Sequence, residues 1–269
     1  MTLLPTRAVV KPWGRADLPA PFAASDGQTV GEIWFEPPPE LPQLLAKYIF
    51  TSEKLSVQVH PNDAQAVAAG LGRQGKEECW LVIAAEPGAV LGIGFREEID
   101  PKALRAAVLD GTVEGLMAWH PVEAGDFFYI PANTVHAIGA GVTLIEVQQN
   151  SDITWRLYDY GRPRELHLEQ GLAVARTRPY DPALRRKVAP AEAAALVDGP
   201  YFRLDQLAGP PGAAAFARHG AAPVLVLPCA GVVSVEGSAV PPGSAAVAPG
   251  LGSVSLAPDA VCLVASACD

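Results

Sequence analysis

A short segment of strictly alternating sequence carries the first side chains that could do chemistry. Residues 55–60 read Leu-Ser-Val-Gln-Val-His. In a β-strand, this alternation places Ser56, Gln58 and His60 on one face and the apolar residues on the other. An imidazole nitrogen and an amide oxygen are both possible metal ligands. One such face most often looks at water, so further ligands are needed to define a site.

A second segment supplies a histidine at a distinctive spacing. Gly125, Pro131 and His136 follow the pattern G-x5-P-x4-H. The glycine starts a turn, apolar residues build a strand, and the proline ends it before the histidine. This spacing is similar to the second metal-binding motif of the cupin β-barrels. Ala140 stands where that motif usually has an asparagine.

A carboxylate pair, Glu77 and Glu78, comes directly before an apolar run that begins with Cys79 and Trp80. Neighbouring residues of a strand point to opposite faces, so only one of the two glutamates can join a shared site. Two imidazoles, one carboxylate and one amide oxygen make a mixed set of nitrogen and oxygen ligands. Such a set suits a divalent transition metal with an open coordination position.

The elements that position these residues are predicted to be short strands. The chain has 25 glycines and 26 prolines, which disfavour long helices and favour strands joined by turns. Strand-type runs are predicted at residues 30–36, 48–51, 55–59, 79–84, 90–94, 127–130 and 142–148. Helical inserts are predicted at 62–71, from Asp100-Pro101 to Gly111, and at 191–197 behind Pro190.

Composition divides the chain into two β regions of unequal richness. Residues 209–269 contain only four charged side chains, Arg218, Glu236, Asp259 and Asp269. We therefore expect a mainly β protein with short helical inserts. The resemblance of the histidine spacing to a cupin motif implies a cupin-type jelly-roll barrel in residues 1–175. A connector at 176–208 and a second, smaller β unit at 209–269 complete the predicted organisation.

Charge and cysteine usage exclude several classes of protein. With 20 Lys+Arg against 29 Asp+Glu, the net charge is −9, and no basic run offers a footprint for nucleic acid. The four cysteines form no CxxC pair, which favours a reducing compartment. No apolar stretch is long enough for a membrane helix or a signal peptide. We expect a cytoplasmic protein that binds neither nucleic acid nor membranes, and the oligomeric state stays open.

Five stretches make the chain resemble the class I mannose-6-phosphate isomerases, particularly their short bacterial form. They are KPWG (11–14), LSVQVHPND (55–63), GKEECW (75–80), IPANTVHAIGAG (130–141) and IEVQQNSDITWRLYDYGR (145–162). The resemblance implies an enzyme with one zinc ion per chain on a cupin scaffold. It also implies a sugar-phosphate substrate, with mannose 6-phosphate and fructose 6-phosphate interconverted through an enediolate.

The resemblance further implies roles for particular residues. The implied zinc ligands are Gln58, His60, Glu78 and His136. The implied catalytic residues are Arg156 and Lys76, and the implied substrate-binding residues are Lys47 and Ser56. Three other histidines match no part of the motifs and are expected to be structural or exposed: His120, His167 and His219.

Two alternative functions remain at this stage. The first is a cupin dioxygenase that uses iron on two histidines and a carboxylate. Gln58 and the lysines near the motifs argue against it. The second is a non-catalytic cupin that binds a sugar phosphate, against which Lys76 and Arg156 argue. A coupled assay for fructose 6-phosphate, with and without chelator, would distinguish all three.

Overall fold

The computed structural model describes residues 3–25 and 27–268 and confirms a mainly β, cupin-type fold built from antiparallel sheets. The strands are β1 (Thr6–Arg15), β2 (Val30–Phe35), β3 (Leu44–Phe50), β4 (Val57–Val59), β5 (Glu78–Ala85), β6 (Val90–Phe95), β7 (Met117–Pro121), β8 (Asp126–Ile130), β9 (His136–Ile138), β10 (Val142–Gln149), β11 (Trp155–Tyr158), β12 (Arg185–Lys187), β13 (Ala194–Asp198), β14 (Phe202–Ala208), β15 (Val224–Ala230), β16 (Val233–Val235), β17 (Ser238–Val240), β18 (Ala246–Ala248), β19 (Val254–Leu256) and β20 (Val261–Ala267). The α-helices are α1 (Asp63–Ala68), α2 (Pro101–Asp110), α3 (Val113–Leu116), α4 (Leu168–Val174) and α5 (Ala213–His219). Short 3₁₀ turns occupy Pro182–Leu184 and Leu251–Ser253.

Across the described part of the chain, no helix has both the length and the apolar character needed to cross a membrane.

Two sheets enclose the first hydrophobic core. A seven-stranded sheet has the order β1-β2-β3-β10-β5-β8-β12, and a five-stranded sheet has the order β11-β4-β9-β6-β7. Trp80 and Leu144 of the larger sheet share one buried cluster with Ile93 and Ile138 of the smaller sheet. The polar residues discussed below are therefore held by strands whose apolar neighbours pack between the two sheets.

The centre of the larger sheet is buried on both faces. Along β10, Val142 and Leu144 join the core between the sheets. Ile145 and Val147 point the other way and pack in a separate cluster that also contains Leu263 of β20. A second five-stranded sheet, β13-β14-β20-β15-β18, therefore covers the outer face of the larger sheet, and the three-stranded sheet β17-β16-β19 packs on the far side of that second sheet. This double coverage explains why β10 is buried along its whole length.

Helices cover the outer face of the smaller sheet. Val57 and Val59 of β4 pack in one cluster with Leu104 of α2 and Leu157 of β11. Helix α2 begins where the Asp100 side chain accepts hydrogen bonds from two backbone amides of the first turn, at 2.9 and 3.3 Å. The predicted alternation holds along β4 itself, where the valines face this helical layer and Gln58 faces the opposite way. It is wrong for Leu55, which precedes the strand and packs in the core between the two sheets.

One predicted helix is wrong. Residues 191–197 were expected to be helical because four alanines follow Pro190, but the chain forms β13 from Ala194 to Asp198. This strand pairs antiparallel with β14, and its Val197 is buried against the outer face of the larger sheet. Pairing and burial of Val197 outweigh the weak helical preference of the alanines. The division into units at 175 and 209 stays a prediction.

Candidate metal centre

Three buried side chains from three different strands converge at one point. His60 directly follows β4, Glu78 begins β5, and His136 begins β9. The distance from His60 Nε2 to Glu78 Oε2 is 3.6 Å, and that from His136 Nε2 to Glu78 Oε1 is 3.3 Å. All three candidate ligand atoms lie within 4.8 Å of one another. This spacing allows one metal ion to contact all three side chains.

Backbone carbonyl groups orient both imidazoles. His60 Nδ1 lies 2.8 Å from the carbonyl oxygen of Ile153, and His136 Nδ1 lies 2.9 Å from that of Thr134. A carbonyl can only accept, so each Nδ1 carries the proton and each Nε2 keeps its lone pair for the centre. Burial, followed by the charge of Lys76, lowers the pKa of His136 to about 4 and that of His60 well below its usual value. Both rings are therefore neutral, as metal ligands must be.

Gln58 lies beside the triad because β4 and β9 pair with Gln58 opposite His136. Its Nε2 is 3.3 Å from His136 Nε2, and its Oε1 accepts a hydrogen bond of 3.2 Å from Ser56 Oγ. For Oε1 to face the triad, the side-chain amide must rotate by half a turn, which exchanges the positions of Oε1 and Nε2. Gln58 is thus adjacent to the candidate ligands, and its oxygen points to Ser56.

Glu78, and not Glu77, is the glutamate that belongs to the triad. Strand alternation predicted that only one of the two could do so. Its Oε1 is buried and has no hydrogen-bond partner among the described residues. Burial and then the charge of Glu146 raise the pKa of Glu78 to about 7. A buried carboxylate oxygen without a partner, beside two neutral imidazoles, fits a divalent cation. Glu77 points to the other face, where it accepts a hydrogen bond from the hydroxyl of Tyr129.

Two lysines and a second carboxylate adjoin the triad. Lys76 Nζ lies 2.5 Å from Glu78 Oε2 and 3.1 Å from His60 Nε2. Gly75 allows this approach, because a Cβ atom there would come within 2.3 Å of the backbone of Asn62. Glu146 accepts a 2.8 Å hydrogen bond from Trp80 Nε1. The ion pair that Glu146 forms with Lys47 spans 2.9 Å, and that with Lys76 spans 3.6 Å.

Glu146 is a candidate site residue that the motifs did not identify. Although burial would raise its pKa, Lys47 and Lys76 lower the pKa of Glu146 to about 2, so its carboxylate is charged. Its neighbours come from strand register, since Glu146 stands directly opposite Lys47 on β3 and Trp80 on β5. The signal in the sequence was strand alternation, because Glu146 shares a face with Val142 and Leu144, which point into the core between the sheets.

Arg156 lies next to Gln58 on the paired strands β11 and β4. Its Nη1 donates a 2.7 Å hydrogen bond to the carbonyl oxygen of Glu165, and its Nε is buried without a partner among the described residues. Burial and then the charge of Arg164 lower the pKa of Arg156 below its usual value.

A cavity of about 250 Å³ opens over this group of residues. Five of the eight residues implied by the motifs line it: Lys47, Ser56, Gln58, Lys76 and Arg156. The remaining histidines lie elsewhere: the ring of His120 contacts Arg185, His167 accepts from the backbone of Arg156, and buried His219 lies 2.8 Å from Ser266 Oγ. The structure thus collects polar and charged side chains from six strands, and from segments between strands, around one cavity.

Comparison with known sequences finds relatives of one kind. The chain is 44% identical over 137 residues to a mannose-6-phosphate isomerase of Streptococcus mutans and 42% identical over 137 residues to the mannose-6-phosphate isomerase ManA of Bacillus subtilis. Each match covers 49% of this chain and 43% of the relative. The chain thus matches less than half the length of these curated relatives. No family model matches the chain.

Comparison with solved structures extends the similarity of fold to the whole chain. The crystal structure of the mannose 6-phosphate isomerase from Bacillus subtilis has a TM-score of 0.73 at 22% identity and covers 98% of both chains. A mutant of the phosphomannose isomerase from Salmonella typhimurium has a TM-score of 0.71 at 14% identity, again with 98% of both chains covered. The fold and the candidate centre thus define a cupin-type β protein with a cluster of potential metal ligands. Its resemblance to the class I mannose-6-phosphate isomerases, expected from the motifs, is confirmed.

Proposed function

We propose that the chain is a zinc-dependent aldose–ketose isomerase that interconverts mannose 6-phosphate and fructose 6-phosphate in the cytoplasm. One observation supports the proposal above all others. The buried His60–Glu78–His136 triad lies beside a cavity whose wall holds Lys47, Lys76 and Arg156. The names of the relatives point to the same reaction, over about half of this chain.

In the proposed site, His60, Glu78 and His136 hold one zinc ion, and Gln58 completes the set after its amide turns. A bound zinc ion supplies a Lewis acid that polarises the carbonyl and hydroxyl oxygens of an open-chain sugar. The protein supplies the orientation of the ligands, because both imidazoles are fixed by backbone carbonyl groups. Trp80 adds a further constraint, since its ring packs edge-on against His136 with 5.3 Å between centroids.

Lys76 is proposed to move the proton between C1 and C2 of the substrate. Lys76 is 4% exposed, and its ammonium group lies at the boundary between the cavity and the triad. Glu146 offers a second carboxylate to Lys76 at 3.6 Å, so the ammonium group need not remain on the metal ligand Glu78. For the transfer to balance, the ammonium group would give one proton to the carbonyl oxygen, and the resulting amine would take the proton from C2 and return it to C1. The proton of the C2 hydroxyl would then restore the ammonium group.

Arg156 is proposed to stabilise the negative charge of the enediolate. A guanidinium stays protonated at neutral pH, so it suits charge stabilisation better than proton abstraction. Its position opposite Gln58 brings it beside the proposed zinc ligands. Lys47 and Ser56 line the same cavity and are proposed to contact the sugar. Electrostatic groups of this kind usually make the largest single contribution to catalysis.

The test is an assay in which fructose 6-phosphate formed from mannose 6-phosphate is coupled to a reporter reaction. We expect turnover by the purified protein, loss of turnover after chelation, and recovery when zinc is added back. Binding of mannose 6-phosphate without turnover by the zinc-loaded protein would contradict the enzyme and favour a sugar-phosphate-binding protein. Oxygen consumption with iron, in place of isomerisation, would favour a dioxygenase.

A further inference from the structure

The charges of the cavity are not evenly balanced along its wall. Each of its three lysines has a carboxylate partner: Lys47 with Glu146 at 2.9 Å, Lys76 with Glu78 at 2.5 Å and Lys11 with Glu32 at 3.5 Å. These pairs neutralise most of the positive charge of the three lysines. A phosphate dianion would have to compete with a carboxylate for each of them.

The two arginines of the cavity are different. No carboxylate of the described residues lies within 4 Å of the Arg156 guanidinium, whose Nη1 bonds only to a backbone carbonyl oxygen. Arg164 does have a carboxylate partner, Asp159, but Asp159 is shared with Arg162. Because Arg162 also pairs with Glu53 at 3.0 Å, the guanidinium without a carboxylate partner at this end is that of Arg156. This end of the cavity therefore holds two neighbouring guanidinium groups, one of which has no paired carboxylate among the described residues, and Asp152 lies on the same wall.

Asp159 fixes the position of Arg164. The carboxylate is 2% exposed and accepts from Arg164 Nε and Nη2, both at 2.6 Å. This two-point contact sets the plane of the guanidinium. It also leaves Nη1, which no described residue bonds, on the side chain that lines the cavity.

Arg156 and Arg164 are near enough that the charge of Arg164 contributes to lowering the pKa of Arg156. Two like charges held together at the edge of a cavity are unfavourable without an anion between them. Arginine is also the side chain best matched to the geometry of a phosphate group.

We propose that Arg164, positioned by Asp159, is the main binding residue for the substrate's phosphomonoester group, and that Arg156 lies between it and the metal centre. This inference rests on the proposed function, because it assumes that the reacting carbons of a sugar phosphate lie at the metal. The two ends of a hexose 6-phosphate then occupy the two ends of one cavity, with the reacting oxygens near Gln58 and the phosphate at Arg164.

The test compares two matched variants of the zinc-loaded full-length protein. Arg164→Ala should raise the KM for mannose 6-phosphate by about 10- to 100-fold, the loss expected for a charge-assisted hydrogen bond, with kcat changed by no more than about threefold. The Kd of inorganic phosphate, measured by calorimetry, should rise in parallel. Arg164→Ala should still fold, because Arg162 continues to pair with Asp159.

Arg162→Gln is the control, because it removes the other arginine of Asp159. Arg162 bonds to Glu53 and to the carbonyl oxygen of Lys54 and does not line the cavity. We expect its KM and phosphate affinity to match those of the wild type. Arg156→Lys should differ from both, with a strong fall in kcat and a small change in KM.

The possible failures can be told apart. Unchanged KM and phosphate affinity in Arg164→Ala, with normal turnover in the wild type, would overturn the phosphate subsite alone. Equal losses in Arg164→Ala and Arg162→Gln would also overturn it, since they would show a general effect of charge. Phosphate binding that depends on Arg164, in a protein without isomerase activity, would support the subsite and contradict the proposed function.

Discussion

At the scale of single residues, the candidate centre depends on the hydrogen bonds and ion pairs that its buried polar groups form. His60 and His136 each use Nδ1 on a backbone carbonyl group, which directs Nε2 toward Glu78. The unpartnered Oε1 of Glu78 is costly to bury unless a cation contacts it. The arrangement therefore has a clear physical reason to bind a metal ion.

Replacing His136 tests this arrangement. His136→Ala removes one nitrogen ligand and should lower zinc affinity by at least about 10- to 100-fold, the loss that changes in supporting residues alone already cause. The measurement is zinc content per chain after dialysis, with about one equivalent expected for the wild type. His120→Ala is the matched control, because half-buried His120 contacts Arg185 away from the triad. Full zinc content in His136→Ala would show that the triad is not the binding site.

At the scale of elements, the position of Arg156 depends on the helix behind its strand. Helix α4 packs against β11, and at Gly171 an added Cβ would lie 2.6 Å from Leu157 Cδ2. Since Leu157 directly follows Arg156, the close contact at Gly171 determines how near the helix lies to the strand that carries the arginine. Small residues at such contacts allow a strand to keep its register when a helix covers it.

Gly171→Ala should therefore destabilise the protein. We expect the free energy of unfolding to fall by about 1 kcal/mol, because the overpacking cost at buried Leu157 (about 1–3 kcal/mol) is offset in part by the helix propensity gained on replacing glycine (about 1 kcal/mol). The control is Gly115→Ala in α3, where an added Cβ meets nothing within 4 Å and a small gain from helix propensity is expected. Urea denaturation of both variants measures the difference. Equal midpoints for the two would contradict the packing argument.

At the scale of the whole molecule, the C-terminal sheets are part of the structure that holds the centre. Phe35, Phe50 and Ile145 of the larger sheet share one buried cluster with Leu225 and Leu263 of the C-terminal region. Three of the five strands of the sheet that covers β3 and β10, namely β15, β18 and β20, thus lie in the proposed unit at 209–269. We infer that its role is structural.

Removal of residues 209–269 should expose that cluster. A contiguous apolar surface of this kind promotes association, so we expect the shortened chain to aggregate or to bind hydrophobic dyes strongly. Size-exclusion chromatography and dye fluorescence measure these effects. A point-mutation pair provides the control: Leu263→Asp should reproduce the defect, whereas Val232→Asp, at a side chain 69% exposed, should not. A soluble, monomeric and stable shortened protein would contradict the structural role.

Much of the candidate centre could be predicted from local patterns. The alternation of residues 55–60 predicted which side chains share a face, and the pair Glu77–Glu78 predicted that only one would face the centre. Both follow from the two-residue repeat of a strand, which is a local property of the chain. The fold class was predictable for a related reason, because frequent glycine and proline limit the length of every element.

The remaining features depended on pairing between distant segments. Glu146 became a neighbour of Lys47 and Trp80 only through the registers of β10 with β3 and β5. The region 191–197 became a strand because β14 was available to pair with it. Likewise, the ion pairs behind the arginine end of the cavity depend on tertiary structure, because Arg162 and Arg164 share buried Asp159 while Arg162 also reaches Glu53 from a distant segment. Sequence alone determined the types and faces of the potential ligands, and tertiary structure decided their charge partners, because register and burial are not local properties.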